Sequence, residues 1–224
     1  ESEGIEMKVF EELIQGTEEW LDVRKGVFTA SEMGVWITSD KRNKTQEKAA
    51  FFVICRNLAE MSGCELEPFF ENWAMRRGTA LEPEARQFYT EETGNKVEQV
   101  GFALHDNGGF GCSPDGFIDD RKGMLQIKCP VPNTHCKYLL EPGLPDTHKV
   151  QVHFEMAVTG AQYNDFYAYC PGLPSMLYRV ERDEYTESIL SGLLRLSVEF
   201  KSYQSKMSAL WAEMKKRQTL IDLA

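Results

Sequence analysis

The stretch Met124-Leu125-Gln126-Ile127-Lys128-Cys129-Pro130 decides the fold. Side chains alternate across a strand, so Leu125, Ile127 and Cys129 share one face and Met124, Gln126 and Lys128 share the other. Two polar side chains, two residues apart, therefore project together from an otherwise apolar strand. Pro130 has no N–H to donate and ends it. Just upstream, Ser113-Pro114-Asp115-Gly116 reads as a turn that closes one strand and opens the next. A hairpin between these segments would set Asp115 beside residue 126. A carboxylate at each place, with a lysine alongside, is the layout for metal-assisted phosphodiester hydrolysis. Hard oxygen ligands hold Mg²⁺, which polarises the phosphate and makes a water more acidic. The lysine can orient that water and stabilise charge on the transition state.

The flanking sequence alternates between helical and extended character. Thr29-Ala30-Ser31-Glu32 matches a capping box and predicts a short helix. Residues 45–61 read as a long helix with Phe52, Cys55 and Ala59 on one face and Gly63 at its end. Glu82-Pro83-Glu84 predicts the start of another helix, since proline suits a first turn, running to Gly94. Residues 96–104, 109–112, 116–119 and 124–129 are short segments bounded by Gly, Asp and Pro, and read as a strand meander. Residues 147–159 return to helix and stop at Gly160, two strands follow over 162–169 and 175–180, and about 183–216 reads as one or two helices. This order predicts a single α/β domain over residues 1–224 with a central mixed β-sheet flanked by helices.

Hydrophobic residues at 42% and charged residues at 27% are the balance of a soluble globular protein, and no apolar run is long enough to span a bilayer. The acidic Glu1-Ser2-Glu3-Gly4 has no signal-peptide pattern and reads as a processed end or an expression remnant. Six cysteines, at 55, 64, 112, 129, 136 and 170, form no C-x-x-C pair and read as free thiols of a reducing compartment. Zinc at Cys129, His135 and Cys136 lacks paired spacing, and with no cysteine after Cys170 a late iron–sulfur site is not supported. The net charge of −10 is unevenly placed: residues 1–23 hold eight acids and one base, and residues 24–48 hold six bases against three acids. Phosphate contact is a local matter, so an acidic protein with basic patches can still bind DNA. The patch from Lys41 to Lys48 reads either as a DNA channel lining or as a solvated helix entrance.

Pro114-Asp115, a spacer and Gln126-Ile127-Lys128 resemble the PD-(D/E)XK pattern of restriction-endonuclease-like nucleases. Other blocks sharpen the likeness. Trp20 followed by Arg24-Lys25-Gly26-Val27-Phe28-Thr29-Ala30-Ser31 looks like a W-x₃-R-x-G-x-x-T-A-S signature. Residues 78–94 hold a glutamate, Glu82, at an expected helix head. Cys112-Ser113-Pro114-Asp115-Gly116 matches C-S-P-D-G, and residues 125–130 match L-E-[LI]-K-C-P in all but one position. Gln151-Val152-His153-Phe154 is similar to a helical glutamine block. In this order, over roughly residues 15–170, the chain resembles the phage lambda exonuclease, or YqaJ-type viral recombinase, family.

That resemblance implies a PD-(D/E)XK fold and a Mg²⁺-dependent 5′→3′ exonuclease, with Mn²⁺ as a substitute and two ions per site. It would digest one strand of linear double-stranded DNA, leaving 3′ single-stranded tails. It implies a homotrimeric ring threaded by DNA, a single-strand annealing protein as partner in recombination, and the cytoplasm of a bacterial or phage-infected cell. Carried over position by position, Asp115, residue 126 and the Ile127 carbonyl would be metal ligands. Lys128 would serve the attacking water, and Glu82 would complete the acidic cluster. Arg24, Ser31 and Ser113 would contact the 5′-phosphate, which a helix N-terminus at Ser31 would suit. Gln151 would be a substrate contact, and His153 either that or a buried, hydrogen-bonded histidine. The departure is Gln126, where the family has glutamate. Its amide is nearly isosteric but neutral and a poorer Mg²⁺ ligand, so hydrolysis should slow by orders of magnitude while fold and DNA binding survive. Gln126 is read either as an engineered inactivation or as a natural divergence to a non-catalytic DNA-end-binding recombination protein, with intact Asp115, Lys128 and Glu82 favouring the first. A related endonuclease is the remaining alternative.

Overall fold

The computed structural model describes residues 7–64, 66 and 72–222, so the acidic first residues lie outside it. Extended segments pair into two sheets. Strands β1 (Met7–Phe10), β2 (Phe102–His105) and β3 (Gly111–Cys112) are antiparallel in the order β1-β2-β3. Strands β4 (Gly116–Ile118), β5 (Gly123–Lys128), β6 (Tyr163–Ala168) and β7 (Met176–Glu181) form a mixed sheet in chain order. There β5 and β6 run parallel, and β4·β5 and β6·β7 antiparallel. A parallel pair needs a crossover, which α4 (Pro132–Leu140) and α5 (Asp146–Thr159) supply. The remaining helices are α1 (Glu18–Arg24), α2 (Lys44–Met61), α3 (Trp73–Thr93) and α6 (Glu184–Asp222), with short 3₁₀ turns at Ala30–Glu32 and Val35–Thr38.

The alternation of β5 distributes two cores. Leu125, Ile127 and Cys129 pack with Ala85 and Tyr89 of α3 and with Tyr167 of β6. Met124, on the other face, packs with Phe117, Phe166 and the α5 residues Val152, Met156 and Ala157. Helices thus cover both faces of the mixed sheet, and β5 is a buried central strand whose polar side chains must find partners within the protein.

Several elements differ from the sequence expectation. Helix α3 begins at Trp73, capped by the Asn72 side chain accepting the Met75 N–H at 3.0 Å. Pro83 is therefore interior, and Glu82 sits mid-helix rather than at its head. Thr79 and Pro83 are both exposed, so water can take the place of the donor that proline lacks. On α2 the buried stripe is Ala50, Val53, Ile54, Asn57 and Leu58, rather than the face that Phe52 shares with Cys55, and Phe52 is 70% exposed. The stripe follows the i, i+3, i+4, i+7 spacing; Phe52 and Cys55 lie off it. The expected meander is divided between the two sheets, and β1 and α4 were not anticipated. Residues 184–222 form one continuous helix. Gly192 lies inside that helix, where a Cβ would come within 1.9 Å of the Ile37 carbonyl oxygen; its absence lets α6 press against the Val35–Thr38 turn.

The Lys41 to Lys48 segment lines a groove between α2 and α6, beside Phe51, Arg195, Glu199 and Tyr203. Part of its charge is engaged there: Arg42 donates to Glu199 at 2.9 Å, and Arg195 pairs with Asp40 at 3.1 Å. No helix among the described residues is long and apolar enough to cross a membrane. His135 is buried with Nε2 at 2.7 Å from the Pro174 carbonyl, while Cys136 is exposed.

Candidate active site

The hairpin register Gly116↔Leu125 sets Asp115 against residue 126. Asp115 Oδ2 accepts the Ile127 N–H at 2.7 Å and an amide hydrogen from Gln126 Nε2. Burial pushes the Asp115 carboxyl above its usual range, while Lys128, the Ile127 N–H and Arg86 pull it down. Glu82 reaches the same place from α3. Burial and then the charge of Asp115 push its carboxyl up to about 7, opposed by Lys128 and Arg86. A buried aspartate whose charge raises a neighbouring glutamate, with a lysine in range, is an arrangement that suits a divalent cation.

Gln126 is 2% exposed, and its amide is fully engaged. Its Nε2 faces Asp115 and its Oε1 accepts from Gln151 Nε2 at 2.8 Å. Gln151 Nε2 also donates to Glu155 Oε1 at 3.0 Å, and Glu155 Oε2 accepts from Asn164 Nδ2 at 3.0 Å. A continuous chain of side chains thus runs from the β4–β5 hairpin through α5 to β6. Residue 126 and Gln151, both singled out in the sequence, belong to it, and so do Glu155 and Asn164, which the sequence reading does not name. One signal was available: Glu155 is the lone acid in the apolar run Val152 to Val158 and stands four residues after Gln151, hence on the same helix face. His153 leaves by another route. It is 3% exposed, with Nδ1 at 2.8 Å from Thr186 Oγ1 and Tyr185 edge-on at 5.0 Å, and it ties α5 to the start of α6. The buried, hydrogen-bonded alternative describes it, and it does not join the Asp115 group.

Arg24 and Ser113 meet at the Trp20 ring, and Ser31 is linked to Arg24 through Thr29. Trp20 Nε1 donates to Ser113 Oγ at 2.9 Å and to the Gly101 carbonyl at 3.1 Å. The Arg24 guanidinium lies 3.8 Å above the Trp20 ring and donates to Thr29 Oγ1 at 3.5 Å, which is 3.3 Å from Ser31 Oγ. Ser113 is two residues from Asp115, so this polar cluster adjoins the hairpin. One expectation needs correction. The segment at Ser31 is a three-residue 3₁₀ turn, fixed by the Glu32 carboxylate accepting the Thr29 N–H at 3.1 Å. It is too short to sum peptide dipoles into an anion-attracting terminus; any anion there would rely on Arg24 and hydroxyl groups.

Among the described residues no group of three His, Cys, Asp or Glu side chains converges as a metal site. The third position of the Asp115–Glu82 cluster is the amide of Gln126.

Glu155 gives the site a pH signature. Burial, then Asp115, push its carboxyl up to about 8 from about 4.5 in the unfolded chain. A raised carboxyl favours folding fully below the lower value, and that contribution is lost as pH rises through the upper one. Glu155→Gln removes this titration, worth on the order of a few kcal/mol. Its Tm should therefore fall less steeply than the parent's between about pH 4.5 and about pH 8. Equal slopes in thermal melts across that range would exclude a buried, proton-holding Glu155.

The chain as a whole is similar to known proteins. A family model described as a YqaJ-like viral recombinase domain matches residues 19–162. Among solved structures, an alkaline exonuclease (LHK-Exo) from Laribacter hongkongensis is 31% identical, with a TM-score of 0.72 over 88% of this chain and 100% of that one. LHK-Exo in complex with dAMP is 33% identical, with a TM-score of 0.66 over 87% and 100% of the two chains. A phage related exonuclease from Haemophilus somnus 129PT, at 12% identity, shares the fold, with a TM-score of 0.59 over 82% and 96%. No curated protein matches the chain. The neighbours and the mixed α/β architecture agree with a PD-(D/E)XK-like fold.

Proposed function

Because this chain belongs to the YqaJ-like viral recombinase domain family, we propose that it is by lineage an end-dependent DNA exonuclease, catalytically disabled by Gln126. The observation that carries this reading is the convergence of Asp115, Glu82, Lys128 and the side chain at 126 on one hairpin, next to the Trp20–Arg24–Ser113 cluster. The active form digests one strand of linear duplex 5′→3′ and leaves 3′ tails for a single-strand annealing protein. Residues 1–224 act as one domain, three copies enclosing the DNA in a ring.

The oxygens present suit a hard divalent cation, because the charge of Asp115 raises Glu82 and the Ile127 carbonyl lies beside the side chain at 126. Asp115, residue 126 and the Ile127 carbonyl would hold Mg²⁺, or Mn²⁺ in its place, with room in the proposal for two ions. When bound, the metal supplies Lewis-acid polarisation of the scissile phosphate. The chain's own residues do the rest. Arg24, Ser31 and Ser113 bind the 5′-phosphate and seat the terminal nucleotide. Lys128 positions the attacking water and lowers the cost of charge growing on the phosphate oxygens. Gln151 holds the side chain at 126.

End dependence is tested on the Gln126→Glu protein, which should degrade linear duplex and leave a covalently closed circle intact. Nicking of the circle would favour the endonuclease reading. Arg24→Ala in that background should lose the preference for 5′-phosphorylated over 5′-hydroxyl ends, a drop of roughly 10-fold or more for one charge-assisted phosphate contact. An end-labelled digestion assay with both substrates reads this directly, and equal loss on both would remove Arg24 from the phosphate pocket.

A further inference from the structure

Glu155 is 1% exposed, and both of its carboxyl oxygens are engaged by side-chain amides, Gln151 on one side and Asn164 on the other, each at 3.0 Å. The Gln151 amide nitrogen carries two hydrogens. One goes to Glu155 Oε1, and the other to Gln126 Oε1 at 2.8 Å. A carboxylate can only accept, so Glu155 compels Gln151 to present its NH₂ end to both neighbours. Turning the Gln151 amide over would set its carbonyl oxygen against two further oxygens. The neutral acid acts in the same sense, because Oε1 still accepts while Oε2 carries the proton and the Asn164 amide turns over to accept it through Oδ1, a buried oxygen that otherwise has no partner. Gln151 and Glu155 lie one helical turn apart on α5, and Asn164 braces the pair from β6.

We propose that Glu155 is a positioning residue for the side chain at 126. It fixes the Gln151 amide, which anchors one terminal atom of residue 126 and so turns the other towards Asp115. The inference rests on the reading of residue 126 as a metal-ligand position. Partners of this kind behind a metal ligand are worth about 10–100-fold in metal affinity.

The test is Mn²⁺ affinity, measured by electron paramagnetic resonance on the Gln126→Glu protein and on further variants in that background. Glu155→Leu and Gln151→Leu should each weaken Mn²⁺ binding by about 10-fold or more. Glu155→Gln keeps an acceptor for Gln151 and gives Asn164 Oδ1 a donor, so it should stay within about threefold of the parent, a change too small to be a lost partner. The double variant Glu155→Leu/Gln151→Leu should be no weaker than Gln151→Leu alone. If Glu155→Gln is as weak as Glu155→Leu, the residue acts by its charge and the proposal is overturned. It is also overturned if Gln151→Leu binds Mn²⁺ normally, or if the Glu155→Leu loss persists undiminished without Gln151. Melting curves and binding of duplex ends check the fold. Should Glu155→Leu fail to fold, Glu155→Gln and Gln151→Leu decide the matter between them. If Gln126→Glu itself binds Mn²⁺ no better than the chain carrying Gln126, the metal reading fails and takes this inference with it. If it binds and positions 151 and 155 have no effect, only this inference fails.

Discussion

Gln126→Glu is expected to raise Mg²⁺-dependent digestion of linear duplex by about 10³-fold or more, the scale of restoring one preorganised electrostatic contact and its metal. The reason lies in which atom faces Asp115. At present the Gln126 amide nitrogen donates to Asp115 Oδ2, while its oxygen is taken by Gln151. Both ends of the amide are thus satisfied by side chains of the protein. Glutamate at 126 keeps the bond from Gln151 but sets oxygen against oxygen at the other end. Only a proton or a metal ion can occupy that gap, and a divalent cation answers both the new charge and the repulsion that already raises Glu82. The measurement is release of label from duplex ends in Mg²⁺ and in Mn²⁺. A revertant inactive in both would sink the catalytic assignment and leave the non-catalytic end-binding reading standing.

Lys128→Met, made in the Gln126→Glu background, is expected to lower kcat by about 10²–10⁴-fold, the usual range for a residue that handles the attacking group. Its effect on metal binding has the opposite sign. The Lys128 charge depresses the carboxyls of Glu82, Asp115 and Glu155 together. It therefore also repels a cation placed among them, and removing it should leave Mn²⁺ affinity equal or tighter. Slow turnover with undiminished metal and DNA binding separates a role in the reaction from a role in holding the site together. Weaker Mn²⁺ binding would show that Lys128 supports the ligands, and unchanged kcat would remove it from the mechanism.

The candidate centre was legible in the sequence because a strand's alternation and a hairpin are local rules. Leu125, Ile127 and Cys129 do face α3, Gln126 does face α5, and Asp115 lies beside residue 126. The same locality explains the errors. Pro83 resembles a helix start because proline suits a first turn, yet Asn72 caps the helix ten residues before Glu82, and exposure at Thr79 tolerates the interior proline. The face of α2 was misjudged because Phe52 is apolar, whereas the stripe is set by what α2 packs against.

By itself the sequence determined the α/β class and the β4–β5 hairpin with its Asp115, Gln126 and Lys128. The hairpin is a local matter of residues 115–128, and the class follows from the order of elements along the chain. The tertiary structure decided which distant groups stand behind them. It brought Glu82 in from mid-helix on α3, drew Arg24 and Ser113 to the Trp20 ring, sent His153 to Thr186, and supported Gln126 through Gln151, Glu155 and Asn164. The physical reason is the burial of β5. A polar side chain on a strand covered on both faces must be satisfied by whatever the packing brings within 3 Å or so, and no pattern along the chain states what that will be.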